Sequence, residues 1–146
     1  MLKFFKKKKE SNNNENSELL LKTASLLVHA AKIDENYSDI EKSIIKEALL
    51  NLGATNSSIE KLIIDAENKE ENSNQILDFT KEIKNTKESF KIKIIETLWK
   101  IIYSNKKVDM YESNLMRRLC GLLYLDNKLA GEIKERAKKD FLKWHI

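Results

Sequence analysis

Proline is missing from this chain, glycine occurs three times, histidine twice and cysteine once. Each scarcity excludes something. Proline breaks helices and glycine weakens them, so their near absence favours long helices over a turn-rich β fold. A single cysteine, Cys120, cannot close an intramolecular disulfide. Its setting, RRLCGLLYL, suits a small buried apolar residue. With one cysteine and two distant histidines, His29 and His145, no zinc-ligand spacing exists. No apolar run approaches the roughly 18 residues that a membrane span needs. The basic start is followed by polar SNNNENSE rather than the apolar core of a signal peptide, so a cytoplasmic protein is expected. There is no nucleophile with its base, no Gly-rich phosphate loop and no dinucleotide fingerprint. The chain is therefore not expected to be an enzyme.

What is present is 146 residues, about one domain, with 41% hydrophobic and 34% charged residues. The net charge of +4 is concentrated in residues 1–10, MLKFFKKKKE, and the remainder sums to zero. A neutral body argues against a nucleic-acid-binding fold, which carries positive charge on its folded surface. The division expected is a disordered basic and polar tail over residues 1–16 and a helical domain over 17–146.

One pattern occurs twice. Placing Glu41 on Glu112 sets an offset of 71, which also pairs Asp34 with Asn105, Ser38 with Asp109, Ile44 with Leu115 and Ile45 with Met116. Each copy reads as an apolar helix, a polar loop, a capping box and a second helix. Ser38 to Glu41 and Asp109 to Glu112 are the two boxes, in which the first side chain and the Glu bond reciprocally to each other's amides. Gly53 can take the left-handed conformation that ends the helix after the first box. Apolar periodicity predicts further helices over 57–68, 74–84, 87–104 with Thr86 as cap, and about 126–144. No segment alternates long enough for a strand. The expected fold is all-α, about seven helices in two pseudo-repeated halves.

The segments LLVHAAKIDENYSDIE, ILDFTKEI and IIETLWKIIYSNKKVDMYESNLMRRLCGLL resemble the TerB-like tellurite-resistance family, in order, over roughly residues 19–140. The most specific piece runs from Leu98 and Trp99 through Asp109 and Glu112 to Arg117, Arg118 and Leu119. The family's Asp-Gly, apolar, Asp, two free positions, Glu pattern is altered here. Asp34 is kept but Glu35 stands for Gly and Ser38 for the second Asp; in the other copy Asn105 and Lys106 replace Asp-Gly while Asp109 and Glu112 are kept. The resemblance implies a compact helical module linked to tellurite and stress resistance. It also implies metal ions or protein partners as ligands of the acidic loops.

The residues themselves offer three candidate sites. Asp34, Glu35, Asp39 and Glu41 fall within eight positions, and hard cations such as Ca²⁺, Mg²⁺ or Mn²⁺ take several such oxygens. Helix capping and the helix dipole are the stronger account of the same acids. Asp109 and Glu112 form a weaker second candidate, because Lys106 and Lys107 oppose a cation. No cofactor is required by any motif. The third candidate is the tail, where Leu2, Phe4 and Phe5 could insert into a bilayer while Lys6, Lys7, Lys8 and Lys9 attract anionic lipid. The expected function is a non-enzymatic module acting through a protein partner, with weak cation binding at the interhelical loops. The alternatives are a peripheral membrane adaptor held by the tail at the inner face of the membrane, and an enzyme with an unrecognised helical site. Nucleic acid is not an expected partner.

Overall fold

The computed structural model describes the backbone of residues 2–32, 37–72, 76–104 and 110–145, and the side chains of residues 17–32, 37–72, 76–104 and 114–140. Seven helices, and no strand, occur among the described residues. They are α1 (Leu2–Lys32), α2 (Asp39–Asn51), α3 (Ile59–Glu71), α4 (Leu77–Ile83), α5 (Glu88–Ser104), α6 (Met110–Leu122) and α7 (Asn127–His145). Residues 2–16, expected as a disordered tail, continue the backbone of α1, and their side chains lie outside the described ones. None of the described helices is long and apolar enough to cross a membrane.

Two helices form the centre. From Thr23 to Val28 every residue of α1 is buried, including Ala24 and Ser25 off the stripe that periodicity marks. α5 is buried almost all round from Ile94 to Tyr103. A helix hydrophobic on all sides belongs inside a protein, and the packing agrees. α1 touches α2, α3, α4 and α5, while α5 touches α1, α2, α6 and α7. The buried hydroxyls of these helices are satisfied locally. Thr23 donates to the Leu19 carbonyl at 2.8 Å, Ser25 to Leu21 at 2.7 Å and Thr97 to Lys93 at 2.8 Å, so each polar group enters the core with its partner.

Thr86 behaves otherwise than its position before α5 suggests. Its hydroxyl donates to the Ile83 carbonyl at 2.6 Å and so closes the end of α4. The first α5 turn instead hangs on the Lys87 carbonyl, which accepts from Phe90 and Lys91 at 3.1 and 3.2 Å. The helix expected over 57–68 begins two residues later and runs on to Glu71; the one expected over 74–84 shortens to Leu77–Ile83.

The ends of α2 and α6 carry one hydrogen-bond pattern. In α2 the Gly53 amide donates to Leu50 at 3.3 Å and the Ala54 amide to Leu49 at 3.0 Å. In α6 the Tyr124 amide donates to Gly121 at 3.1 Å and the Leu125 amide to Cys120 at 2.9 Å. Both are Schellman closures, which need a positive φ at the turning residue. Gly53 supplies φ 121° and Tyr124 φ 60°.

Candidate functional site

The α1–α2 junction is built around Glu41. Ser38 stands at the N-cap with extended backbone, φ −84° and ψ 166°. Its hydroxyl accepts the Glu41 amide at 3.2 Å, while the Ser38 amide donates to Glu41 Oε1 at 3.1 Å and the Ser38 hydroxyl reaches the same oxygen at 3.0 Å. The expected capping box is therefore formed, and the positive end of the α2 dipole favours the carboxylate there. Glu41 is 0% exposed, and its other oxygen, Oε2, is buried with no donor among the described residues. Capping thus occupies one oxygen of Glu41 and leaves the second unassigned.

Tyr37 is half-buried just before the box. Its hydroxyl points to Glu67 Oε1 at 3.5 Å, and Lys42 Nζ approaches that same oxygen at 3.1 Å. Lys42 also lies 5.5 Å from the Tyr37 ring centroid. Burial first, then the charges of Glu67 and Glu41, hold the Tyr37 phenol far above its ordinary range. Tyr37 therefore remains a protonated donor at any physiological pH.

Two carboxylates of α3 complete the surroundings. Glu70 accepts from Lys32 at 2.9 Å and lies 3.2 Å from His29 Nδ1, with Glu71 3.7 Å from Lys32. The hydrogen bond to Glu70 raises the Lys32 ammonium above its usual value against the opposing effect of burial. Glu67, Glu70 and Glu71 are thus matched by cations. Glu41 is the buried acid of the junction that no described cation meets. Sequence reasoning missed the α3 acids because they arrive from about thirty to forty residues away. Their placement three and four positions apart on one helix face was the available signal.

The remaining site residues fall as follows. Asp39 opens α2 and is exposed. Asp34, Glu35 and Asp109 lie outside the described residues, as do the side chains of Glu112, Leu2, Phe4, Phe5, Lys6, Lys7, Lys8 and Lys9. Among the described residues no three His, Cys, Asp or Glu side chains cluster as a metal site. Cys120 is buried, as its setting suggested, and burial pushes its thiol up. Arg117 and Arg118 are exposed on α6. Trp99 is in the core beside Tyr103, ring centroids 5.6 Å apart.

The seven helices of the described residues form an all-α bundle with a capped acidic junction, the build of a small helical module. The family model described as Tellurite resistance protein TerB matches residues 20–135, and the chain belongs to that family. No curated protein and no solved structure matches it.

Proposed function

We propose that this chain is a non-enzymatic TerB module of tellurite and stress resistance that works by contact through its α1–α2 junction, where it binds a hard divalent cation weakly. The observation that carries the reading is the buried Oε2 of Glu41, which has no partner among the described residues. A buried acceptor without a donor costs about 1–3 kcal/mol, more when charged. A cation relieves that cost directly. Asp39, two positions earlier in the chain, and Glu35 and Asp34, six and seven earlier, are the further carboxylates of the loop that would complete a coordination shell. Without a cation, the same acids form a contact for a basic protein partner.

Calorimetry with Ca²⁺, Mg²⁺ and Mn²⁺ tests this on the wild type, Asp34→Asn and Glu41→Gln. Glu41→Gln keeps an oxygen for the cap and places an amide where Oε2 stood. It should lose cation binding while the melting temperature holds. Absence of binding heat at millimolar cation would remove the metal and leave the basic partner.

A further inference from the structure

Where α5, α6 and α7 meet, a cavity of about 350 Å³ opens at the surface. Its floor is apolar and nearly all buried: Trp99 at 4% exposure, Met116 at 1% and Cys120 at 5%. Arg117 of α6 and Lys134 of α7 stand at its walls, and Asn127 lies at the start of α7. Lys134 Nζ is 5.1 Å from the Trp99 ring centroid. No acidic side chain among the described residues lines this cavity. Among the described residues neither Arg117 nor Lys134 has an ion-pair partner, whereas Lys22, Lys32, Lys42 and Lys46 all do. Two cations that share a cavity with no described carboxylate leave their charge available to an incoming anion.

Gly131 is an independent sign. It sits inside α7, where glycine costs about 1 kcal/mol against alanine. Its backbone does not need glycine, because the positive-φ glycine is Gly53. Packing does not need it either, since a Cβ at Gly131 would meet nothing within 4 Å. Gly131, next to Ala130, therefore leaves its part of the cavity lining without a side chain.

We propose that this cavity binds a small organic anion, a ring-sized apolar body resting on Trp99, Met116 and Cys120 with a carboxylate or phosphate held between Arg117 and Lys134. The volume falls in the range of small-molecule sites, about 300–1,000 Å³. The guanidinium offers a planar fork that matches either acid group, and the ammonium a second point charge. The Asn127 amide adds a neutral donor. Six basic and three acidic residues give α7 a net charge of +3, which draws an anion to this face. The acids nearby, Asp126, Glu132 and Glu135, are exposed and do not line the cavity. Buried and kept protonated, the Cys120 thiol serves as wall rather than nucleophile, so binding is reversible. The site shares no residue with the α1–α2 junction and is independent of the function proposed there.

Titration of the full chain by amide NMR tests it with three probes: benzoate, benzyl alcohol and inorganic phosphate. Benzoate should give saturable shifts at the amides of Arg117, Cys120 and Gly131 and at the Trp99 indole. It should bind about tenfold tighter than either other probe, since only it uses floor and walls together. Arg117→Gln with Lys134→Gln should weaken benzoate by about tenfold or more. Gly131→Leu should fill the cavity and abolish binding while the melting temperature holds; if that variant does not fold, the wall pair decides alone. Overturning results are shifts scattered over the surface, no saturation, phosphate as tight as benzoate, or a wall pair that binds benzoate as the wild type does.

Discussion

α2 and α6 close with the same hydrogen bonds, one on a glycine and the other on a tyrosine. At Gly53 the positive φ is free of steric cost; at Tyr124 a side chain is forced into the left-handed region, which costs about 1–2 kcal/mol. The packing that follows explains why both ends must turn alike, since Leu125 is buried immediately after the second turn and Ile59 shortly after the first. Tyr124 is exposed, with Lys84 and Lys91 at 5.8 and 6.0 Å from its ring centroid. The helices that follow differ more sharply. α3 carries five acids and two lysines, and its Glu60, Glu67, Glu70 and Glu71 are all paired with cations. α7 carries the reverse sign and lends an unpaired lysine to a cavity. Similar backbones thus present opposite charge, and backbone and chemistry vary independently.

The largest test of this comparison is in the core. Ile45 of α2 and Met116 of α6 are both fully buried, and Ile45→Ala and Met116→Ala should each cost about 2–5 kcal/mol in urea unfolding. A much smaller loss at one of them would show that the two helices do not share the load. Glu41→Ala comes next. Losing the box should cost about 1 kcal/mol, with Glu41→Gln restoring most of it. Thermal melts of the pair separate capping from charge.

The two turns come third. Gly53→Ala should lose about 1 kcal/mol, because alanine resists φ 121°. Tyr124→Gly should stay within about 0.5 kcal/mol of the wild type. Relief of strain there is offset by the lost lysine contacts, about 0.5–1 kcal/mol, and by added freedom in the unfolded chain. If Gly53→Ala is neutral, the first turn is not held as described.

The last two effects are smaller in stability. Cys120 should resist alkylation by iodoacetamide until the protein unfolds. Because burial raises its folded pKa, the native state holds the proton longer. Its contribution is present below the unfolded value of about 8.5 and is lost as pH rises toward the folded one. A urea series from neutral to alkaline pH should show that decline, and Cys120→Ala should flatten it. For the tail, Gln at Lys6, Lys7, Lys8 and Lys9 should abolish low-salt pelleting with anionic vesicles and leave the melt unchanged, as expected if the basic excess rather than the neutral body makes that contact.

Much of the local structure was legible in the residues. The Ser38 box, the Gly53 stop, the buried setting of Cys120 and the all-α class follow from short-range rules: a hydroxyl three residues before a Glu, a residue with no Cβ, an apolar flank, a periodicity of 3.6. Tyr124 was not legible as a turn, because no propensity favours tyrosine there and only the buried Leu125 after it makes the conformation worthwhile. Thr86 looked like the cap of the following helix and serves the preceding one, since a threonine hydroxyl can donate as readily as accept.

The sequence by itself determined the all-α class, the order of the helices, the capped junction and the concentration of net charge in the first ten residues, because each depends on neighbours within a few positions. Only the tertiary structure decided that α1 and α5 are central, that one oxygen of Glu41 is buried with no donor among the described residues, that α3 supplies Glu67 and Glu70 to the junction, and that Trp99, Arg117 and Lys134 border one cavity. Those facts depend on which surfaces exclude water together, and that is settled by packing between helices far apart in the chain.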